Sequence, residues 1–262
     1  MTEGQPRRSG MRRGAVWLLL GAFGFLLQAV PAVAAPTATL EVRAIPIPGF
    51  PGTGNILGAG AEVEDQMTIS GTEYGGYPSP LTGIDVYTPK GIKLNPAAFA
   101  VCAPTVLEAD GPVGCPRMSS AGPQGVGEGV VSFGGERVPE KVAIREFFTS
   151  GGNLAFYVEG NTPASFQILE RAHWVGAAAP FASELMVEVP LVETVPGAND
   201  ASITSFTVKV GAARKVGNKL ISYFTQPRKC PRGGFPVKSE LKFLSGEVIT
   251  VADSVPCPKP AR

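Results

Sequence analysis

Three carboxylates stand together at Glu62, Glu64 and Asp65. Paired acids are what a glycosidase needs, one to protonate the leaving oxygen and one to attack the sugar or activate water. Side chains alternate along a strand, so Glu62 and Glu64 share a face there, which is equally the pattern of a solvated strand surface. His173 is the only histidine, and a Ser-His-Asp triad has to use it. It stands beside Trp174 at the end of a strand-like run, and no G-x-S-x-G motif accompanies it. Asn199-Asp200 after Pro196-Gly197, and Glu64-Asp65, offer loop oxygens to calcium, but there is no D-x-D-x-D series. The glycine-rich run from Gly52 to Gly58 lacks the Lys-Ser/Thr end of a phosphate loop and reads as a flexible connection. No catalytic residue, metal or cofactor is assigned on these patterns, and the chain reads as a non-enzyme.

The binding candidate is the loop Tyr74–Pro80. Tyr74 and Tyr77, separated by Gly75-Gly76 and followed by Pro78 and Pro80, present flat rings on a stiffened turn. Such rings suit a sugar or the apolar patch of a partner; aromatics near turns also finish a core. Four cysteines form two couples close in sequence, Cys102/Cys115 and Cys230/Cys257. An even number without C-x-x-C spacing implies disulfides and an oxidising compartment. Three pairings are possible, and proximity along the chain favours the two local ones, each contributing on the order of 3 to 4 kcal/mol by loop closure.

Short strands must position these residues. Runs rich in β-branched and aromatic side chains recur at about Thr39–Ile45, Glu62–Ser70, Gly83–Thr88, Gly129–Phe133, Val142–Thr149, Leu154–Glu159 and Phe166–Trp174. Further runs follow at about Glu184–Leu191, Ser202–Val210, Lys219–Thr225, Val237–Phe243 and Glu247–Val251. Turn residues separate several of them, at Ser150–Asn153, Gly217-Asn218 and Ser245-Gly246. Alternation predicts a buried face of Thr204, Phe206, Val208 and Val210 in one run, and of Val237, Ser239, Leu241 and Phe243 in another. The fold class that follows is all-β, an antiparallel sandwich or jelly roll. A break at Gly176–Pro180 divides residues 36–175 from 176–262, as two small modules or as one continuous sandwich.

The N-terminus reads as an export signal. Arg7, Arg8, Arg12 and Arg13 precede an apolar run from Ala15 to Val30, which ends at Pro31-Ala32-Val33-Ala34-Ala35 with small residues placed for a signal peptidase. Residues 1–35 are thus a signal peptide, or an anchor through residues 15–35 if uncleaved. Without residues 1–34 the chain holds 19 basic and 21 acidic residues, a net charge of −2. That balance provides no footprint for nucleic acid or an anionic membrane surface.

The segments Tyr74-Gly75-Gly76-Tyr77-Pro78-Ser79-Pro80-Leu81, Val86-Tyr87-Thr88-Pro89-Lys90-Gly91, Cys230-Pro231-Arg232-Gly233-Gly234-Phe235 and Pro256-Cys257-Pro258 carry a resemblance. Together the chain resembles a group of uncharacterised exported β-rich proteins of high-GC actinobacteria. The resemblance implies export and a β-rich fold, and brings no activity or site residues. The sequence therefore points to an exported, noncatalytic envelope or extracellular protein with a binding or structural role, its partner a cell-wall glycan or an envelope protein. The alternatives are a secreted glycosidase-like hydrolase or a membrane-tethered surface protein.

Overall fold

A computed structural model describes residues 35–50 and 57–257. Apart from Ala35, the expected signal segment lies outside the described residues, as do residues 52–56 of the glycine-rich run. The strands are β1 (Thr37–Pro46), β2 (Gly60–Ser70), β3 (Leu81–Pro89), β4 (Lys93–Leu94), β5 (Gly125–Phe133), β6 (Glu136–Phe148), β7 (Leu154–Gly160) and β8 (Phe166–Gly176). They continue with β9 (Phe181–Glu188), β10 (Ser202–Val210), β11 (Ala213–Val216), β12 (Lys219–Ser222), β13 (Phe224–Thr225), β14 (Phe235–Phe243) and β15 (Val248–Val255). Among the described residues one short α-helix, α1 (Pro104–Asp110), precedes β5. Among the described residues no helix is long and apolar enough to cross a membrane.

Eleven strands form one continuous antiparallel series, β15-β14-β3-β9-β8-β7-β6-β5-β10-β2-β1. The lower end of β2 also pairs β13, which pairs β4, while β11 and β12 form a separate hairpin through Gly217-Asn218. Strands from both sides of Gly176–Pro180 alternate in this sheet, β9 lying between β3 and β8 and β10 between β5 and β2. The sheet curls until its two ends meet, and its main core draws on β2, β3, β6, β7, β8, β9, β10 and β14. The molecule is thus an all-β, antiparallel, sandwich-like body whose facing layers are halves of one sheet.

Antiparallel steps reverse direction each time, so the two ends of an eleven-strand series run parallel. At this seam the Val42 amide donates to Asp253 Oδ2 at 2.7 Å, and Val42 packs with Phe235, Val237 and Val255. The sheet's exposed edges are thereby turned toward each other, which removes a template for edge-to-edge aggregation.

The expected inward row of β14 is observed: Phe235, Val237, Ser239, Leu241 and Phe243 are buried while Pro236, Lys238, Glu240 and Lys242 are half-buried. In β10, Phe206, Val208 and Val210 also face inward, but Thr204 does not. A register shift between Ile203 and Ser205 against β5 turns Ile203 inward, and Thr204 Oγ1 donates to the Glu128 carbonyl at 3.1 Å. A bulge breaks the two-residue period that the alternation assumes. Both local disulfides are formed, Cys102–Cys115 and Cys230–Cys257, with Cα separations of 5.3 and 5.7 Å. The second closes the open end of the β14–β15 hairpin. The first holds the α1 segment on the outer face of β6 and β7, where Leu107 packs with Phe147, Ala155 and Tyr157.

Candidate ligand cavity

Inside the curled sheet lies a cavity of about 170 Å³. Its walls are the inward rows of the strands, among them Leu40 and Val42 of β1, Val142 and Ile144 of β6, Phe156 and Val158 of β7, and Leu185 and Val187 of β9. Room for it comes partly from β5, which places Gly127 and Gly129 where neighbouring strands place apolar side chains. A Cβ on Gly127 would stand 2.8 Å from Val142 Cγ2, and one on Gly129 would stand 2.7 Å from the Ser202 carbonyl oxygen. These glycines both admit β10 closely and leave the wall without side chains.

Of the four acids along the lining among the described residues, Asp65 and Glu170 have no ion-pair or hydrogen-bond partner, whereas the Glu128 carboxylate meets Lys141 at 3.5 Å. Asp65 belongs to the inward row Ala61, Val63, Asp65, Met67 and Ile69 of β2, flanked by Val42 on β1 and Val208 on β10. Glu170 belongs to the row Phe166, Ile168, Glu170, Ala172 and Trp174 of β8, beside Phe156. Both residues are half-buried and line the cavity. Asp65 Oδ1 has no hydrogen-bond partner. Burial, helped by the neighbouring Glu64, pushes the Asp65 carboxyl up to about 7; burial alone pushes Glu170 up to about 8. In an apolar enclosure the charged form of an acid loses its hydration without replacement. Glu140 also borders the cavity, but its oxygens accept from the Thr162 and Ala164 amides at 3.0 and 2.9 Å. Among the described residues no Lys, Arg or His lines the cavity.

The carboxylate cluster read from the sequence is divided by the strand. Glu62 and Glu64 lie on the outer face, where Glu64 binds Lys209 at 2.8 Å and Arg43 at 3.8 Å, while Asp65 points inside. A further acid, Glu146, is buried in the inward row of β6 with neither oxygen hydrogen-bonded. Burial pushes it up to about 8; nearby backbone amides of Glu146 and Lys209 act against that, and Glu62 adds to it. Asp65, Glu146 and Glu170 were legible as inward only once the strand phase was fixed. His173 is half-buried on β8, paired across the sheet with Met186. Among the described residues no group of three His, Cys, Asp or Glu side chains is placed to hold a metal ion.

Tyr74 and Tyr77 exchange backbone hydrogen bonds of 2.9 and 3.3 Å across Gly75-Gly76, whose φ values of 64° and 88° form the turn. The Arg137 guanidinium lies over both rings, 5.5 Å from each centroid. Burial lowers the Arg137 pKa, against the pull of the two tyrosines and Asp200. Arg137 also donates to the Asp200 carbonyl at 3.1 Å and to Ser202 Oγ at 2.7 Å, and the Asp200 amide donates to Tyr74 OH at 3.2 Å. Both tyrosines are half-buried, and the loop that carries them is thus fastened to the β9–β10 connection, residues 189–201, part of which lines the cavity. Arg137→Ala is expected to free that connection, raising its rate of proteolytic nicking at least tenfold, as read by mass-mapping of early fragments. Unchanged nicking would show that the other bonds of the segment suffice. No protein-family model, curated protein or solved structure matches the chain.

Proposed function

We infer that this is an exported, noncatalytic protein that holds an apolar small molecule inside its curled sheet. The observation that carries the reading is the cavity of about 170 Å³ with an almost wholly apolar lining. An apolar cavity of roughly 150 Å³ stays dry and takes up benzene. At ~24 cal/mol per Å³, a void of about 170 Å³ costs about 4 kcal/mol, which an apolar occupant offsets. The paired disulfides suit an oxidising compartment, and the basic-apolar-small pattern of residues 1–35 supports export. The hydrolase alternative draws less support, because Glu64 is engaged by Lys209 and Asp65 faces away from both Glu62 and Glu64.

A neutral naphthyl fluorophore is expected to brighten and shift to the blue with the purified protein, and octanol is expected to displace it. Val142→Phe and Ile168→Phe, which fill the cavity from two walls, should each reduce that binding at least tenfold while melting cooperatively. Equal binding by the filled variants would place the fluorophore elsewhere and sink the reading.

A further inference from the structure

We propose that the cavity takes an apolar amine, its hydrocarbon body against the inward rows of the strands and its protonated nitrogen at the Asp65 carboxylate. The proposal rests on the reading of the cavity as a ligand site and names the class of ligand.

Charge and placement carry it. The cavity wall holds two unengaged acids, Asp65 on β2 and Glu170 on β8, five places apart in the eleven-strand series and so on opposite walls. Among the described residues no cation reaches the cavity to balance them. The cations nearest to Asp65 in sequence register, Arg43 on β1 and Lys209 on β10, are on the outer face and bind Glu64. Asp253 of β15 meets the Val42 amide at the seam and brings only another acid. Glu62 and Glu64 of β2 itself are acids too. A fatty-acid carboxylate entering this enclosure would find like charge and no counter-charge, whereas an ammonium would meet a carboxylate that has no other partner. A buried, unpaired acid is destabilising unless something supplies the missing partner.

The proton balance is definite. An ammonium ligand arriving at a neutral Asp65 carboxyl forms the ion pair and expels the carboxyl proton to solvent. At alkaline pH, where Asp65 is already ionised, no proton is expelled. Affinity for the amine should therefore rise as pH increases from 5.5 to 8, by tenfold or more, and level off above.

The experiment is isothermal titration of the mature protein with octylamine, octanol and octanoate at pH 6 and pH 8, each in two buffers of different ionisation enthalpy. Octylamine is expected to bind at least tenfold tighter than the other two at pH 8, with close to one proton released at pH 6. Asp65→Asn should erase both the preference and the proton release while keeping octanol binding; Asp65→Leu should do the same if the amide perturbs packing. Octanol or octanoate binding as tightly as octylamine, or a preference that survives Asp65→Asn and Asp65→Leu, would overturn the amine assignment and leave the cavity as a ligand site. A preference lost only in Glu170→Gln would likewise overturn the assignment to Asp65. If none of the three ligands binds and the naphthyl fluorophore also fails, the cavity reading itself falls.

Discussion

Urea unfolding is expected to require more denaturant at pH 5.5 than at pH 8.5, a reversal of what ion-paired carboxylates produce. Glu146 is buried, Asp65 and Glu170 stand half-buried in the cavity wall, and loss of hydration raises the three to about 8, about 7 and about 8. In the unfolded chain these acids ionise near their ordinary values of ~4. The folded state therefore binds more protons than the unfolded state between those limits. Its advantage is fully present below the unfolded values and is lost as pH rises through 7 to 8. The combined loss between pH 5.5 and 8.5 is a large part of the stability of a domain. At the acid end the trend reverses, because Lys238 holds Glu240 below the usual carboxylate range and that contribution disappears as pH falls through its lowered value. The optimum should lie near pH 5. Glu146→Gln, Asp65→Asn and Glu170→Gln should each flatten the alkaline slope, and a profile that stays flat in the wild type would mean these acids reach water.

Tyr223→Ala is expected to be the most damaging single substitution in the core. The side chain is fully buried and packs its ring 4.6 Å from Phe148, 4.8 Å from Phe224 and 6.0 Å from Phe99. Its hydroxyl accepts from Trp174 Nε1 at 2.9 Å and donates to the Gly152 carbonyl at 2.9 Å. Truncation opens a cavity worth about 3 to 5 kcal/mol and leaves two partly buried polar groups without their partner, at about 1 kcal/mol each. Tyr223→Phe keeps the ring contacts and should cost only the polar part. Guanidinium unfolding of the two variants separates these contributions. If Phe costs as much as Ala, the hydroxyl bonds and not the aromatic cluster hold this end of the body.

Much of this architecture could be read from local pattern. Val237, Ser239, Leu241 and Phe243 alternate cleanly, and Gly217-Asn218 and Ser245-Gly246 turn where such residues turn. Cys230 and Cys257 flank a hairpin, and proximity along the chain favours the pairing that the structure shows. The two-residue β4, the short β11 and helix α1 carry too few residues for a periodic signal. The curling of the sheet was hidden for another reason: β3 pairs β9 and β14, nearly a hundred residues and more away, and no local pattern encodes such a pairing. The cavity acids are an instructive case. Once Glu62 and Glu64 are placed outside, the same alternation puts Asp65 inside with Val63 and Met67. Grouping the three by sequence proximity concealed that. Glu170 sits between Ile168 and Ala172 in the same way. Thr204 shows the opposite failure, where a bulge made a correct period give the wrong face.

The seam has a consequence for how the chain acquires its structure. Among the described strands β1 comes first in the chain and β15 last, yet they are neighbours. A chain delivered from its N-terminus can build its hairpins one after another, β5 to β6 to β7 to β8 to β9. Its first strand must wait, with one flank uncovered, until residues 248–255 arrive. Closure of the body is thereby tied to residues 248–255: a product cut short before β15 keeps an open flank at Val42 and lacks the Asp253 that closes it.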